Sequence, residues 1–361
     1  MQQPGQHAVY LMRDDDRVRE VDLLAEATGG RVGLPGVLGD LNRKAIHGPI
    51  PGRAATWGFA LDLRDSSTLR WWPQGVTTSA DGSPDETYGG RRVVVTSSYS
   101  KNVRGINKGA RLTVFDVTDP AKVRYRHVLL VEAVVRDGTV TLQPIRIHAG
   151  GIVWHGGYVH VAGTARGLFT FALDDILRLP RETSEDAVGL LPDGRYAGYG
   201  HRYVLPVRFK YVARTDEGFQ RIRYSFLSLD RSADQHQLVA GEYGRRGQTT
   251  RLIRYDMDPA TGLVDTDPEG ASRPRTIELD GIEQMQGAAS VRGRLYVTQS
   301  KGRVRRGNLW VGAPGALVRH KAALPQGPED LCYWPSTDQL WSVSEHPMLR
   351  FVFTMDRSHF D

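Results

Sequence analysis

Lys301-Gly-Arg-Val-Arg-Arg306 is a basic loop between two short strands, Arg294-Leu-Tyr-Val-Thr-Gln-Ser300 and Gly307-Asn-Leu-Trp-Val-Gly312, and this arrangement decides the fold. The same order of strand, basic loop and strand occurs five times. The first strand of each such pair lies at 92–99, 158–164, 237–243, 294–300 and 339–345, and the second at 110–116, 167–172, 250–256, 307–312 and 348–353. A strand unit that repeats along a chain and stacks radially is a β-propeller.

Further strands complete four of the five units, because one strand precedes each pair and another follows it. The predicted strands are 74–79, 91–98, 110–116 and 125–133; 148–155, 158–163, 167–173 and 203–212; 222–229, 237–243, 250–257 and 274–279; 286–291, 294–299, 307–312 and 316–323; and, in the fifth unit, 329–334, 339–344 and 348–355. The fifth unit is one strand short, and propellers close by borrowing a strand from the other terminus. Residues 7–12 and 56–63 could each supply it.

We therefore predict an all-β chain that forms a five-bladed β-propeller closed by an N-terminal strand. The alternative is five hairpin clusters in two sandwiches, which would not account for the shared three-strand rhythm. We expect one domain over residues 1–361, with an N-terminal extension and closing strand in 1–65 and the blades in 66–361.

The N-terminal extension has a helical signal. Apolar residues at Val18, Val21, Leu24 and Ala25 predict a short helix within 14–27, which Gly29-Gly30 ends. The Gly- and Pro-rich residues 31–53 predict an ordered loop. A helical insertion is expected near 173–179.

Charge and cysteine content limit the classes of function. The net charge is +6, from 47 basic and 41 acidic residues, and a positive field favours anionic partners. The single cysteine, Cys332, excludes an internal disulfide and is expected to be a buried, inert thiol. No apolar run is long enough to span a membrane. Residues 1–5 have no features of a secretory signal, so we expect a cytoplasmic protein or a secreted one whose leader was removed.

The propeller reading brings two sets of polar residues to one axial funnel. First strands line the central channel, and their starts face the loops that follow the second strands. The first set is Gln74, His148, Ser225, Gln286 and Glu329, and the second is Tyr99, Thr164, Glu242, Tyr243, Gln299, Glu345 and His346. Polar residues there could also serve only to contact channel water, which is the structural alternative.

Three of these residues suit acid–base chemistry, namely His148, Glu329 and His346. Histidine titrates near neutrality, and a partly desolvated glutamate can be raised toward it. A divalent metal could instead be held by His148, Glu329 and either Glu242 or Glu345, although no spacing motif supports such a set.

Cations surround the predicted funnel, because all five basic loops or their edges carry them. These are Lys101, Arg104, Lys108, Arg166, Arg245, Arg246, Arg251, Lys301, Arg303, Arg305, Arg306 and Arg350, with His346. Such a ring would attract anions, and Arg245 and Lys301 are the predicted clamps. Solvated loop charge is the alternative. Nucleic acid is disfavoured, because no recognised motif and few aromatic residues accompany the charge.

Parts of the chain from about Leu69 onward resemble known propellers. Ile147-His-Ala-Gly-Gly-Ile-Val-Trp154, Gln284-Met-Gln-Gly-Ala-Ala-Ser290 and Gln326-Gly-Pro-Glu-Asp-Leu-Cys-Tyr-Trp334 are similar to a group of uncharacterised actinobacterial β-propeller-like proteins, many described as secreted. This resemblance implies a propeller and no particular activity.

Pro328-Glu329-Asp330-Leu331 also resembles the Pro-Glu-Gly motif of gluconolactonase-like six-bladed propellers. That resemblance implies lactone hydrolysis with Glu329 as a ligand of a divalent metal. The chain has Asp330 in place of the family's glycine and lacks clear matches for its Asn and Asp ligands, so the comparison extends only to Glu329. Furanosidase-type propellers use three carboxylates, and Gln74 departs from that set.

The leading prediction is a protein that binds an anionic small molecule or a carbohydrate in the funnel. Chemistry there would be elimination, cyclisation or hydrolysis, with His148 as base, Glu329 as its partner acid and the remaining funnel residues, including Lys101, contacting substrate. The alternative is a non-catalytic scaffold that binds a protein or an acidic polymer through its basic face.

Overall fold

Strands are the predominant regular secondary structure in the computed structural model, which describes residues 8–180, 184–279 and 281–361. The described helices are short: α1 (Val18–Thr28), α2 (Gly33–Leu38), α3 (Leu63–Ser67) and α4 (Ser79–Gly82), with 3₁₀ turns at Leu173–Asp175, Pro335–Thr337 and Arg357–Phe360.

The N-terminal strands are β1 (Val9–Arg13), β2 (Arg43–Lys44), β3 (Ile46–His47) and β4 (Trp57–Ala60). Those of the first unit are β5 (Trp71–Thr78), β6 (Val93–Ser100), β7 (Ala110–Asp116), β8 (Arg124–Arg136) and β9 (Thr139–Pro144). The second unit has β10 (Ile152–His155), β11 (Tyr158–Ala162), β12 (Gly167–Ala172), β13 (Leu177–Arg178), β14 (Val188–Leu190), β15 (Tyr196–Gly198), β16 (Tyr203–Pro206) and β17 (Phe209–Thr215).

The third unit has β18 (Phe226–Asp230), β19 (His236–Gly241), β20 (Leu252–Asp258), β21 (Leu263–Val264), β22 (Ala271–Ser272) and β23 (Thr276–Glu278). The fourth has β24 (Met285–Val291), β25 (Arg294–Gln299), β26 (Arg306–Ala313) and β27 (Ala316–Gln326), and the last has β28 (Pro328–Trp334), β29 (Gln339–Ser344) and β30 (Phe351–Asp356).

The larger sheets radiate from a ring of inner strands. Antiparallel pairing runs outward from β5, β10, β18, β24 and β28 in their respective sheets. These inner strands contact one another in the cyclic order β5, β10, β18, β24 and β28, and β28 contacts β5 again. Sheets arranged around a ring of inner strands form a β-propeller, as the repeat predicted.

Close approach of the inner strands depends on glycine. A Cβ atom on Gly151 would lie 2.0 Å from the backbone nitrogen of Leu227, and one on Gly287 would lie 2.6 Å from Cα of Asp330. No L side chain fits at such distances, so these glycines allow neighbouring sheets to meet at the axis.

Two N-terminal strands join different sheets. β4 pairs with β30, with Phe59 opposite Val352. β1 pairs instead with β17 and with β22, so it extends the sheet of the second unit. Residue 7, which begins the predicted strand 7–12, lies outside the described residues.

Helix α1 starts later than the prediction of 14–27. The backbone nitrogen of Asp14 donates to the Lys210 carbonyl and that of Arg17 to the Arg208 carbonyl, so this segment is held against β17 before the helix begins. At its C-terminus Gly29 adopts φ +90°, the left-handed conformation that suits glycine.

The prediction of a loop over 31–53 is wrong in part, because α2, β2 and β3 lie there. Leu34, Val37 and Leu38 of α2 are buried in a core cluster with strands of the first two units. Their burial outweighs the low helix propensity of the neighbouring glycines and proline.

The predicted strand 203–212 is two strands. β16 pairs in parallel with β8 of the first unit, whereas β17 pairs with β12 of the second. The chain changes sheets at Val207 and Arg208, whose backbone nitrogens donate to the carbonyls of Val131 and Thr170 respectively. The expected helical insertion near 173–179 is a single 3₁₀ turn followed by β13.

Candidate functional site

Three of the predicted axial residues lie in irregular stretches of their inner strands. Register shifts occur between Pro73 and Val76 in β5, between Met285 and Gly287 in β24, and between Pro328 and Leu331 in β28. Gln74, Gln286 and Glu329 lie inside these shifts. A bulge re-aims the side chain it contains, so the backbone itself turns these polar groups away from the regular sheet positions.

Two carboxylates, Glu329 and Glu345, form the acidic centre of the axial cluster. Gln286 Nε2 donates to Glu329 Oε1 at 3.1 Å, and Gln74 Nε2 donates to Glu345 Oε2 at 3.2 Å. Burial raises the pKa of Glu329 well above its usual range, and the charges of Glu345 and Asp330 raise it further. Burial also raises the pKa of Glu345. The cluster therefore favours at least one protonated carboxyl group near neutral pH.

Tyr99 and His148 form a stacked pair beside these carboxylates. Their ring centroids are 4.4 Å apart with an interplanar angle of 25°. Burial, and then the charges of Glu345 and Glu329, raise the pKa of Tyr99. His148 is exposed, and partial desolvation, followed by the charge of Lys101, lowers its pKa. The imidazole is therefore neutral and able to accept a proton.

Lys101 and His346 complete the predicted cluster. Nζ of Lys101 lies 3.2 Å from the ring centroid of Trp72, and burial lowers its pKa although Glu345 opposes that change. Nδ1 of His346 lies 3.5 Å from Glu345 Oε1. Burial lowers the pKa of His346, and nearby cations add to the effect.

Sequence reasoning did not assign a role to Asp330. Its Oδ2 atom accepts hydrogen bonds at 3.3 Å from the backbone nitrogens of Val76 and Ile152. It therefore ties β28 to the inner strands β5 and β10. Its position directly after Glu329 was the only available signal, and it was read as a departure from a motif.

Arg350 is a second such residue, since it was counted only as part of the basic ring. It is buried, and Nε donates to the Glu345 carbonyl at 3.0 Å while a terminal nitrogen donates to the Asp65 carbonyl at 2.7 Å. The guanidinium thus fixes the backbone that carries Glu345.

Glu242 and Gln299 make contacts of another kind. Arg251 Nε donates to Glu242 Oε2 at 2.7 Å, and both side chains are buried. Gln299 Oε1 accepts from Asn308 Nδ2 at 2.8 Å and from Trp310 Nε1 at 3.1 Å. These polar groups form hydrogen bonds within their own blades. Their assignment to substrate binding stays a prediction.

The remaining predicted residues lie near the loops. Nε of Arg245 donates to the Tyr243 hydroxyl at 3.1 Å, and Arg245 is exposed. Nζ of Lys301 donates to Gln284 Oε1 at 3.2 Å. Ser225 donates its backbone nitrogen to the Gly241 carbonyl at 2.8 Å. Their predicted roles, including the two anion clamps, stay predictions.

The basic loops divide into internal and exposed cations. Lys108, Arg251 and Arg350 are buried, so they do not contribute to an outer ring of charge. The exposed members of the predicted ring are Lys101, Arg104, Arg166, Arg245, Arg246, Arg303, Arg305 and Arg306.

The axial donor set does not fit a divalent metal. Each carboxylate is hydrogen-bonded by an amide, and among residues 8–180, 184–279 and 281–361 no group of three or more His, Cys, Asp or Glu side chains is placed to hold an ion. The described residues therefore do not support the metal role that the resemblance implied for Glu329.

Two further properties concern the length of the helices and the state of the single cysteine. In the described part of the chain, none of the helices has both the length and the apolar character needed to cross a bilayer. Cys332 is buried, as expected, and burial raises the pKa of its thiol well above the usual range.

Comparison with known proteins finds similar chains only among solved structures. No family model matches the chain, and no curated protein matches it. Similar solved structures include a gluconolactonase from Xanthomonas campestris, with 14% identity, 88% of each chain covered and a TM-score of 0.37. They also include a GH43_1 enzyme from Xanthomonas citri, with 10% identity, 81% of this chain and 91% of that chain covered and a TM-score of 0.37.

The β-propeller domain of Cps50 (Swd1) from Myceliophteria thermophila is similar at 9% identity, with 80% of this chain and 98% of that chain covered and a TM-score of 0.35. The gluconolactonase-like likeness seen in the sequence thus recurs among the solved structures. At these identities and TM-scores the likenesses carry no statement about activity.

Proposed function

We propose that the protein is a closed five-bladed propeller whose axial cluster binds a carbohydrate and hydrolyses it by acid–base chemistry. The cyclic contacts of five inner strands and the pairing of β4 with β30 support the blade count and the closure. The single observation that carries the function is the pair of amide-held carboxylates, Glu329 and Glu345, with raised pKa values beside a neutral histidine.

The roles follow from protonation state. Glu329, kept protonated by burial, donates its proton to the oxygen that leaves when the glycosidic or lactone C–O bond breaks. Neutral His148 accepts a proton from the water whose oxygen bonds to the same carbon. Glu345 supplies the neighbouring charge that raises the pKa of Glu329. Proton exchange with solvent restores both groups.

The surrounding groups suit a polyhydroxylated ligand better than an anion. Carboxylates and amides offer acceptors and donors to hydroxyl groups, and the rings of Tyr99 and Trp72 offer flat apolar surfaces. An anion at the axis would be repelled by Glu345 whenever that group is ionised.

Turnover of chromogenic aryl glycosides and aldonolactones tests the proposal. We expect Glu329→Gln to reduce kcat at least 100-fold, because it removes the transferable proton and keeps the shape. His148→Ala should reduce kcat to a similar degree. Exposed Glu269 offers the matched control, and Glu269→Gln should leave turnover unchanged.

Two results would contradict the proposal. One is full activity of both axial variants. The other is a panel in which no sugar or lactone is hydrolysed by the wild-type chain and none raises its unfolding temperature.

A non-catalytic scaffold is the second candidate function. The exposed cations Arg104, Arg166, Arg245, Arg246, Arg303 and Arg305 favour it, since loops after second strands lie on one face of a propeller. Binding of an acidic polymer that is unaffected by Glu329→Gln and weakened by charge removal in these loops would favour this candidate over the hydrolase.

A further inference from the structure

A cavity of about 400 Å³ lies away from the axis and is hereafter called the lateral cavity. Its walls come from residues 42–43, from the α3 segment, from Trp71 at the start of β5, from β7 and β8, and from residues 199–202. Seven cationic and two acidic side chains line it. No residue of the axial cluster is among its lining residues, so it is a separate site.

A buried network organises one wall of the lateral cavity around Asp65. His127 Nε2 and the Tyr125 hydroxyl each lie 2.8 Å from Asp65 Oδ2, and Nδ1 of His127 lies 2.9 Å from the Thr113 hydroxyl. Burial alone would raise the pKa of Asp65, but His127, Arg111 and Arg43 hold it well below the usual range. Asp65 is therefore ionised, and both nitrogens of His127 are occupied, so this network is structural.

Most cations of the lateral cavity have carboxylate partners. The pairs are Arg43 with Asp62 and Asp65, Arg64 with Glu185, Lys108 with Asp186, Arg111 with Asp65 and Arg126 with Asp40. Arg70 and Arg202 differ, because they donate to backbone carbonyls of Val103 and Leu179. Neither has a carboxylate partner among the described residues. Within residues 8–180, 184–279 and 281–361, these two positive charges thus have no counter-charge.

Unused donors accompany this charge. Nε of Arg111 and Nε of Arg202 are buried and have no hydrogen-bond partner among the described residues. Arg111 is only 4% exposed, and its guanidinium lies 4.3 Å from the ring centroid of Trp71, which holds it in place. Buried polar atoms almost always have partners, so these two lining arginines retain hydrogen-bonding capacity that the described residues do not use.

We propose that the lateral cavity binds a phosphate dianion, either free or as the monoester of a small molecule. Two uncompensated guanidinium groups match the charge of a dianion, and guanidinium forks suit its oxygens. The volume leaves room for an organic group beside the phosphate, next to Trp71 and Tyr199.

Calorimetric titration of the full-length chain at low salt tests the proposal with inorganic phosphate, glucose 6-phosphate and glucose. We expect both phosphates to bind and glucose not to bind at this site. Arg202→Gln should weaken phosphate binding roughly ten-fold. Arg64→Gln, at an exposed position that tolerates change, should weaken it by a smaller factor. Exposed Arg178, outside the lining, is the control, and Arg178→Gln should have no effect.

Each outcome of this titration either supports or overturns the phosphate proposal. Tighter binding of glucose 6-phosphate than of phosphate identifies a monoester site, and equal binding identifies a site for free phosphate. Absence of phosphate binding at millimolar concentration overturns the proposal, as does unchanged affinity in both Arg202→Gln and Arg64→Gln. Loss of binding in Glu329→Gln, with Arg202→Gln unaffected, would place the anion at the axis. The proposal is independent of the hydrolase assignment, since its readout is binding alone.

Discussion

At the scale of single residues, each of the two axial carboxyl groups has a neutral glutamine amide as its hydrogen-bond partner. Gln74 and Gln286 each donate one hydrogen bond to a carboxylate, and these two bonds do not suffice to offset the cost of burial, so both carboxylate pKa values are raised. Glu242 shows the opposite case, because Arg251 and backbone groups outweigh burial and lower its pKa. Folding thus favours the protonated form of a glutamate in one blade and the ionised form of a glutamate in another.

The raised pKa of Glu329 predicts a pH-dependent stability. The folded state favours the protonated form, so the stability that Glu329 contributes is complete below its unfolded pKa of about 4.3 and is lost as pH rises through the folded pKa. Glu329→Gln removes this ionisation. We expect the variant to match the wild type near pH 4 and to unfold at a higher temperature toward pH 8. The free energy of unfolding should then be higher in the variant by about 1.4 kcal/mol for each unit by which the folded and unfolded pKa values of Glu329 differ.

Thermal unfolding of both chains across this pH range gives the measurement, with Glu269→Gln as the control. If the difference in stability between the variant and the wild type did not change with pH, folding would not raise the pKa of Glu329. Higher stability together with lower turnover would agree with a group retained for chemistry.

At the scale of elements, the buried ion pair of Arg251 and Glu242 links separate segments of the third unit. Arg251 lies on the loop edge before β20 and Glu242 follows β19, and the arginine also donates to the Arg221 carbonyl at 2.7 Å. The pair thus links the two ends of the loop between β19 and β20 to each other and to the segment before β18.

Removal of one partner should therefore be costly. We expect Glu242→Gln to lower the free energy of unfolding by about 3–5 kcal/mol, because Arg251 would remain buried without its counter-charge. The double variant Glu242→Gln with Arg251→Met should recover part of the loss. Urea denaturation measures both, and exposed Glu217→Gln is the control.

A loss below 1 kcal/mol in Glu242→Gln would mean that water reaches the pair. If a folded Glu242→Gln variant kept the ligand affinity of the wild type at the axis, Glu242 would have no role in substrate binding.

At the scale of the whole molecule, β4 from the N-terminal part of the chain shares a sheet with β30 from the C-terminal part. β4 lies beside β30, so the hydrogen bonds between them join residue 57 to residue 354. A Cβ atom on Gly58 would lie 2.5 Å from the Val352 carbonyl oxygen and 2.9 Å from Cα of Phe353, so this contact tolerates no side chain.

Disruption of this contact should weaken the entire fold. We expect Gly58→Ala to lower the free energy of unfolding by about 1–3 kcal/mol, because β4 must move away from β30. Gly48 has no neighbouring atom within 4 Å of its ideal Cβ, so Gly48→Ala is the matched control, with a change of at most about 0.5 kcal/mol. Chemical denaturation measures both, and equal stability of the two variants would contradict closure through β4.

Much of the strand order was predictable, since period-two patterns and turn residues are local properties. The third strands at 110–116 and 167–172 coincide with β7 and β12. The pairing of Glu242 with Arg251 was not predictable, because the repeat predicts that Glu242 faces the funnel and that Arg251 belongs to the ring of loop cations. The division of 203–212 between two sheets depends on Val131 and Thr170, which are remote in the chain.

The sequence by itself determined the repeat, the all-β class and the polar residues at the starts of the inner strands, because these depend on residues close together in the chain. Only the tertiary structure decided which polar groups share a charge environment. It brought Gln74 and Gln286 from two other sheets to Glu345 and Glu329 of the last one. It also gathered Asp65, His127 and Arg202 around the lateral cavity. Burial and long-range proximity set protonation and charge balance, and neither is encoded in a local pattern.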